Sequence, residues 1–349
     1  MSAPDINLGK GHPVTDASVA TAATAATPKE RIAAILANVE QVPGAAKPDP
    51  ILIANNVTRS FGGLHAVDVE HVQIQRGAIT ALIGPNGAGK TTFFNLLTGF
   101  DAPNSGDWTF DGVDLAGVPA HKVARAGMVR TFQLTKALSL LTVIENMQLG
   151  AKNQLGEKLR NALFKPLWRA QEKSNIDKAD DLLTRFKLDA KRPDFAGSLS
   201  GGQRKLLEMA RALMTDPKMI MLDEPMAGVN PALTQSLLGH IEDLRDEGMT
   251  VLFVEHDMDM VQEISDWVIV MAQGKIVAEG PPTEVMKNPA VIEAYLGGHH
   301  GDSLLEEENP VLAMLENDEL PSAEEAQAAV EAELEAEGVD LHPDENKES

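Results

Sequence analysis

The sequence predicts an α/β fold built on a parallel sheet with crossover helices. Short apolar segments of strand length alternate with helical patterns along most of the 349 residues. The candidate strands are residues 51–57, 66–74, 79–83, 219–222, 251–254 and 268–271, and the clearest helical patterns are residues 93–98, 205–214 and 231–246. Near the end of this series, a turn at Gln273-Gly274-Lys275 predicts a hairpin that joins residues 268–272 to residues 276–278.

The middle of the chain departs from this alternation. Residues 134–197 contain few β-branched runs and carry long amphipathic helical patterns, at residues 155–174 and 176–186. Strand-like segments return only after this region. We therefore expect a helical subdomain to be inserted into the α/β core.

Both ends of the chain differ in composition from the core, which we place at residues 50–298. Residues 1–49 are rich in Ala, Thr and Pro, with one helical stretch at residues 30–39, and we expect a mostly flexible extension. Residues 299–349 are acidic, with an Ala- and Glu-rich helical stretch at residues 323–337. We expect a solvated, partly helical tail there, and a regulatory or partner-binding tail is the alternative.

Charge and composition argue against several classes of protein. The formal net charge is −22, but residues 301–349 hold 17 Asp and Glu against one Lys, which leaves −6 for the first 300 residues. No basic face is evident, so we expect no nucleic-acid partner. The absence of cysteine excludes disulfides and thiolate chemistry and fits a cytosolic protein. No apolar run approaches the ~18 residues of a membrane span, and we expect no secretory signal, so any membrane role should be peripheral.

A glycine-rich loop follows the apolar segment at residues 78–83. It reads Gly84-Pro85-Asn86-Gly87-Ala88-Gly89-Lys90-Thr91-Thr92, which is the G-x-x-x-x-G-K-[ST] pattern between a strand and a helix. Glycines let consecutive backbone N–H groups curl around phosphate oxygens, and the following helix directs its positive end at the same anion. Lys90 supplies a charge for the β- and γ-phosphates, and the Thr91 hydroxyl can ligate Mg²⁺. The sequence thus predicts nucleoside triphosphate binding by Gly84, Asn86, Gly87, Ala88, Gly89, Lys90, Thr91 and Thr92.

A second apolar strand, at residues 219–222, delivers Asp223 and Glu224 at its carboxyl end. Ligands of open α/β sheets bind just beyond the strand ends, so this acidic pair can reach the phosphate loop. Asp223 would hold Mg²⁺, directly or through water. Glu224 is placed to take a proton from an attacking water molecule.

A second helix terminus suited to an anion is predicted at Ser198-Leu199-Ser200-Gly201-Gly202-Gln203-Arg204. Ser200 is a good N-cap, and the two glycines leave backbone N–H groups open. One triphosphate bound to the phosphate loop has no evident need for this second site. We therefore expect the segment to close over a nucleotide held by another subunit, in a dimer with ATP at the interface.

These motifs and their order resemble those of the ATP-binding subunits of ABC transporters. Leu199-Ser200-Gly201-Gly202-Gln203 matches the signature motif of that family. The ordered set of Walker A (the phosphate loop), Q-loop (residues 130–133), signature, Walker B (Asp223-Glu224) and H-loop (residues 254–257) is complete over residues 50–298. The resemblance implies a P-loop NTPase (RecA-like) core with an antiparallel β subdomain, and ATP and Mg²⁺ as cofactors.

The resemblance also implies roles for individual residues. Gln133, in Arg130-Thr131-Phe132-Gln133, would contact Mg²⁺ and link the site to the helical subdomain. His256 would contact the γ-phosphate and orient Glu224. The residues of the facing subunit that would contact the nucleotide are Ser200, Gly201, Gly202 and Gln203.

Two positions match the family less closely. Phe61 corresponds to the aromatic residue that stacks on adenine, although a Phe in a turn often packs inward instead. The loop after Walker B commonly ends in Asp in this family, whereas Ala227-Gly228-Val229-Asn230-Pro231 has Asn at that position. Asn230 can hydrogen-bond across a dimer interface but carries no charge.

Within the family, the chain is similar to the LivG-type ATPases, which serve uptake of branched-chain and other hydrophobic amino acids and, in relatives, of urea or amides. The segments that carry this likeness are residues 61–64, 130–133, 141–146, 227–231, 255–258 and 291–297. The alternatives are the ATPase of a lipopolysaccharide exporter or of a urea or amide importer. The resemblance implies a second ATP-binding subunit, identical or paralogous, two transmembrane permease subunits and, indirectly, a substrate-binding protein, at the cytoplasmic face of the cell membrane.

Two rival classes share part of this motif set. A soluble ABC ATPase that acts on DNA or ribosomes would carry the same catalytic motifs. Such proteins usually have paired cassettes, long coiled coils or zinc-binding cysteines, and the sequence has none of these. A non-catalytic nucleotide sensor would be expected to lack Glu224 or His256, and both are present.

Overall fold

The computed structural model describes residues 27–131, 138–152 and 166–297. Its strands are β1 (Pro50–Phe61), β2 (Leu64–Gln75), β3 (Ile79–Ile83), β4 (Ser105–Phe110), β5 (Val113–Asp114), β6 (Met128–Arg130), β7 (Met219–Asp223), β8 (Thr250–Val254), β9 (Trp267–Ala272) and β10 (Lys275–Gly280). Its α-helices are α1 (Pro28–Leu36), α2 (Lys90–Leu97), α3 (Ala120–Ala126), α4 (Val143–Leu149), α5 (Pro166–Arg185), α6 (Gly201–Leu213), α7 (Pro231–Asp246), α8 (Met258–Ile264), α9 (Pro282–Val285) and α10 (Pro289–Gly297).

The larger sheet has six strands in the order β10-β9-β3-β8-β7-β6. All neighbouring pairs are parallel except β10 with β9, which confirms the predicted parallel sheet. Strands β3, β7, β8 and β9 are buried at every residue, as expected of parallel strands covered on both faces. The carboxyl ends of β3, β8 and β7 are neighbours, so the loops that follow them share one edge of the sheet.

The smaller sheet has four antiparallel strands in the order β2-β1-β4-β5, and it is the antiparallel β subdomain that the resemblance implied. Its buried side chains share one hydrophobic core with α2 and with the larger sheet, and Trp108, Phe94 and Leu82 all belong to that core. Strands β4, β5 and β6 were not predicted. Because β4 contains Ser105, Gly106 and Asp107, its sequence is that of a turn, and pairing with β1 makes it a strand.

Capping and turn residues in the sequence predicted several elements correctly. Helix α7 has the predicted bounds, with Pro231 at its first position and the Asn230 side chain accepting the Leu233 N–H at 2.9 Å. The predicted hairpin joins β9 to β10 through Gln273 and Gly274, whose φ angles of 49° and 82° suit a two-residue turn with both residues left-handed.

The inserted helical region is built from α4, α5 and α6, which contact one another. Two separate helical patterns were predicted at residues 155–174 and 176–186. The structure instead has one continuous helix, α5, because neither Gly nor Pro interrupts the chain between them. Residues 153–165 lie outside the described residues, as do residues 132–137, which include Phe132 and Gln133 of the predicted Q-loop.

Residues 27–49 differ from the expected flexible extension. Thr27 and Glu30 form a capping box at the start of α1, and α1 packs against α7. Leu36, Ala45 and Lys47 are buried. The packed part of the chain therefore begins earlier than residue 50. The rest of the predicted extension, residues 1–26, lies outside the described residues, and so do residues 298–349 with the predicted acidic tail.

None of the helices that the structure describes has both the length and the apolar character needed to cross a membrane.

Candidate active site

The phosphate loop connects β3 to α2, as its sequence predicted, and its backbone admits only glycine at two positions. Gly84 has φ 150°, and a Cβ there would lie 2.0 Å from the Met271 carbonyl oxygen. Gly89 has φ 99°, and a Cβ there would lie 2.2 Å from the Ala66 carbonyl oxygen. Gly87, with φ 76°, has open space around its Cα. The loop is therefore a concave backbone surface of the kind that accepts phosphate.

Lys90 begins α2 and turns its side chain back over this loop. Its Nζ donates to the carbonyl oxygens of Gly84 at 2.6 Å and Pro85 at 3.0 Å. Burial lowers the pKa of Lys90, and the negative charges of Glu224 and Asp223 oppose that shift. The ammonium group is thus held inside the loop and within electrostatic reach of the acidic pair.

The acidic pair lies at the carboxyl end of β7, as predicted. The Asp223 carboxylate is 9% exposed, and its Oδ2 accepts a hydrogen bond from Arg130 Nη2 at 2.5 Å. Glu224 has a left-handed backbone with φ 46°, and its N–H donates to the Val254 carbonyl oxygen at 3.0 Å. A non-glycine residue in this conformation costs on the order of 1–3 kcal/mol, and such residues concentrate at functional sites.

His256 follows β8, next to the end of β7, and its side chain is 68% exposed. Its backbone N–H donates to Glu255 Oε2 at 3.3 Å, and Glu255 Oε1 accepts the Met226 N–H at 3.1 Å. Burial raises the pKa of Glu255, although the two N–H groups oppose the shift. Glu255 thus joins the H-loop to the loop after Glu224, a role that its sequence position alone did not reveal.

The signature segment begins α6, and Ser200 is its N-cap, as predicted. The Ser200 Oγ accepts the Gln203 N–H at 3.3 Å, and Gln203 Oε1 accepts the Ser200 N–H at 3.0 Å. The Gln203 side chain is therefore engaged by its own helix. Ser200 and Gly201 are exposed, whereas Gly202 is buried against Leu233. In the same helix, Lys205 Nζ donates to the Glu224 carbonyl oxygen at 3.4 Å.

Most of the predicted residues gather at one edge of the larger sheet. The phosphate loop, Asp223, Glu224 and His256 follow the neighbouring strands β3, β7 and β8. Phe61 ends β1 and is 49% exposed, with Arg59 Cζ 4.6 Å from its ring centre, so the inward-packing alternative does not hold. Gln133 lies outside the described residues.

The oxygen atoms and backbone N–H groups of this site suit a nucleotide with bound Mg²⁺. Thr91 is exposed at the start of α2, and among the described residues none donates a hydrogen bond to Asp223 Oδ1. Hydroxyl and carboxylate oxygens are the ligands that Mg²⁺ prefers. The glycine loop offers N–H groups to phosphate, so the residues present suit both the metal and the nucleotide.

Two further residues, neither of them predicted as a site residue, reach this site from segments 130–133 and 291–297. Arg130 contacts Asp223, as described above. Tyr295, on α10, has a buried hydroxyl without a hydrogen-bond partner of ordinary length among the described residues. Burial raises the pKa of Tyr295 to about 12, and the Gly84 N–H opposes this shift. Helix α10 therefore lies against the first glycine of the phosphate loop.

Comparisons with known proteins agree with this architecture. The family model described as ABC transporter matches residues 67–227, and the model described as branched-chain amino acid ATP-binding cassette transporter matches residues 275–301. The chain is 43% identical over 250 residues to the high-affinity branched-chain amino acid transport ATP-binding protein BraF of Pseudomonas aeruginosa. That match covers 71% of this chain and 98% of BraF.

Another relative and two solved structures are also ATP-binding proteins or cassettes of transporters. The high-affinity branched-chain amino acid transport ATP-binding protein LivG of Escherichia coli is 42% identical over 250 residues, with coverage of 71% of this chain and 98% of LivG. A nucleotide-free ATP-binding cassette from an ABC transporter is 38% identical with a TM-score of 0.62, and the match covers 70% of this chain and 98% of that cassette. The ADP conformation of the cassette MJ1267 has the same identity and TM-score, with coverage of 71% and 99%.

The fold and the ordered motifs define an ATP-binding cassette with a P-loop NTPase core, and the chain belongs to the ATP-binding proteins of ABC transporters. Proteins of this family hydrolyse ATP to power transport. Its relatives and the match at residues 275–301 place it in the branched-chain amino acid group. These findings do not favour the exporter alternative.

Proposed function

We propose that this protein is the ATP-hydrolysing subunit of an importer for branched-chain or other hydrophobic amino acids. The observation that carries the proposal is the convergence of the phosphate loop, Asp223, Glu224 and His256 at one edge of the sheet. The names of the relatives support the substrate class. A urea or amide importer is the alternative substrate assignment.

In the proposed nucleotide site, ATP lies on the phosphate loop with Lys90 at its β- and γ-phosphates. Phe61, exposed at the end of β1, stacks on adenine. Thr91, Asp223 and Gln133 would hold Mg²⁺, which neutralises charge between the terminal phosphates when it is bound. Glu224 accepts a proton from water, and His256 and Gln133 position that water.

The signature segment completes the site in a dimer. We propose that Ser200, Gly201, Gly202 and Gln203 of one subunit cover the γ-phosphate bound by the other. The exposure of Ser200 and Gly201 at the start of α6 supports this role, because the Gly201 N–H lies at the helix N-terminus and donates to no described residue, whereas the Ser200 N–H is already bound to Gln203. Closure would exclude water and let fixed backbone dipoles act on developing charge.

The proposed transport partners are two permease subunits at the cytoplasmic face of the membrane, supplied by a substrate-binding protein. An exposed apolar surface supports this docking. Leu140 is 84% exposed and Phe195 is 60% exposed. Backbone hydrogen bonds from Gly197 N to Ser139 O and from Ala196 N to Leu141 O, both about 3 Å long, hold their segments together.

One experiment tests the catalytic assignment directly. Glu224→Gln keeps the size of the side chain but removes the proton acceptor, so steady-state ATP hydrolysis should fall about 10²–10⁴-fold while ATP binding persists. Light scattering with Mg²⁺ and ATP should then detect an accumulated dimer. Glu70→Gln, at an exposed position of β2, is the matched control and should retain wild-type hydrolysis. Wild-type turnover in Glu224→Gln would disprove the assigned base.

A cellular experiment tests the substrate class. Cells that lack this chain should lose uptake of radiolabelled leucine, isoleucine or valine. The wild-type protein should restore uptake, and Glu224→Gln should not. Undiminished amino-acid uptake together with lost urea uptake would favour the alternative substrate.

A further inference from the structure

Arg130 is the last residue of β6, the edge strand next to β7, and its side chain is almost fully buried, at 7% exposure. Among the described residues, the guanidinium donates side-chain hydrogen bonds to two different elements. Nη2 donates to Asp223 Oδ2 at 2.5 Å, and Nη1 donates to Asn95 Oδ1 at 2.5 Å. Its Cζ also lies 5.6 Å from the ring centre of Phe94. One side chain thus connects the end of β7 to α2, the helix that carries Lys90 and Thr91.

The two carboxylate oxygens of Asp223 consequently differ in their hydrogen bonding. Oδ2 is held by Arg130, whereas Oδ1 receives no hydrogen bond from any residue that the structure describes. A planar guanidinium with two engaged nitrogens sets the rotation of a carboxylate far more strictly than an ammonium point charge does. Groups that orient a metal ligand in this way typically change metal affinity 10–100-fold when they are replaced.

We propose that Arg130 is a positioning residue for the metal site, an inference that rests on the proposed function. It holds one oxygen of Asp223, so that the other oxygen is available to the divalent cation. Through Asn95, it also fixes the position of that carboxylate relative to Thr91 on α2. Arg130 touches neither the nucleotide nor the metal in this arrangement. Its effect is therefore on metal affinity, and the phosphate loop itself should bind nucleotide without it.

The test measures metal binding directly. The full chain is saturated with a non-hydrolysable ATP analogue, and free Mn²⁺, used in place of Mg²⁺, is followed by electron paramagnetic resonance. Arg130→Lys keeps the positive charge but cannot hold Asp223 and Asn95 together, so the Mn²⁺ dissociation constant should rise about 10–100-fold. Affinity for the same analogue in EDTA should stay within about twofold, because the loop contacts are unchanged.

Arg76→Lys is the matched control. Arg76 also connects two acceptors, Asp49 and Asp111, but it lies just before β3, at the opposite end of the strand from the phosphate loop. It should leave the Mn²⁺ dissociation constant unchanged. If Arg130→Lys fails to fold, Asn95→Ala removes one anchor of the guanidinium and should weaken Mn²⁺ binding to a smaller extent.

The outcomes separate this inference from the proposed function. Wild-type Mn²⁺ affinity in both Arg130→Lys and Asn95→Ala would overturn the positioning role while leaving the metal site in place. An equal loss of analogue affinity with and without metal would also overturn it, because Arg130 would then support the fold of the whole site. Failure of the wild-type protein to bind Mn²⁺ would instead overturn the assignment of Asp223 as a metal ligand.

Discussion

The Nζ of Lys47 lies 2.9 Å from Oε2 of Glu279, and both side chains are almost entirely buried. Glu279 also accepts the indole N–H of Trp267 at 3.0 Å and the backbone N–H of Ala45. Lys47 Nζ lies 4.7 Å from the Trp267 ring centre. Burial lowers the pKa of Lys47, and the charge of Glu279 opposes that shift. These contacts bind the segment before β1 to β9 and β10.

Breaking this ion pair should destabilise the fold. Lys47→Met leaves the Glu279 carboxylate buried without its cation, which typically costs about 3–5 kcal/mol in the free energy of unfolding. Urea denaturation followed by circular dichroism measures the change. Lys287→Met removes an exposed ion pair with Glu284 and should cost less than about 1 kcal/mol. Equal stability of Lys47→Met and wild type would contradict a structural role for residues 27–49.

His240 should make stability depend on pH. It is buried on α7 with its ring centre 4.5 Å from that of Phe186, and neither ring nitrogen hydrogen-bonds to a described residue. Burial lowers the pKa of His240, with Asp243 opposing the shift and Arg185 and Lys187 adding to it. The unfolded chain therefore binds the proton more readily than the folded one, and stability present above pH 6.5 is lost as pH falls below it.

Replacing this histidine should remove that pH dependence. In His240→Leu, the free energy of unfolding should fall less steeply between about pH 6.5 and pH 5 than in the wild type, as measured by urea titrations at several pH values. His121→Leu, at an exposed position of α3, should keep the wild-type slope. An unchanged slope in His240→Leu would show that this imidazole does not govern the effect.

Lys90→Ala tests the phosphate loop. Removal of the ammonium group should weaken ATP binding about 10–100-fold, the value of a hydrogen bond to a charged group. Equilibrium dialysis with labelled ATP measures the change. Lys122→Ala, at an exposed position of α3, should bind as the wild type does. Unaltered affinity in Lys90→Ala would contradict the role of this loop.

Glu255→Gln tests the link between His256 and the loop after Glu224. The amide offers one acceptor oxygen where the carboxylate offers two, so either Met226 N–H or His256 N–H loses its partner, at about 1–3 kcal/mol. We expect kcat for ATP hydrolysis to fall while ATP affinity stays unchanged, because the phosphate loop is not involved. A lower affinity with unchanged kcat would place Glu255 in nucleotide binding instead.

The site residues that could be predicted are those whose geometry depends on near neighbours in sequence. The phosphate loop follows from glycines and Lys90 within nine residues, and the capping box of α6 follows from Ser200 and Gln203 three residues apart. The contacts that could not be predicted span long separations. Arg130 and Asp223 are 93 residues apart, and Lys47 and Glu279 are 232 residues apart. No local pattern encodes such pairs, since chain topology brings them together.

The sequence by itself determined the class of fold, the nucleotide loop, the acidic pair and the capped signature helix, because backbone conformation and helix capping are set by adjacent residues. Only the tertiary structure decided that residues 27–49 belong to the packed part of the chain and that β4 is a strand. It also decided that Arg130 holds Asp223. In these cases the stabilising partner lies on another element, and burial against that element supplies the free energy that local preference does not.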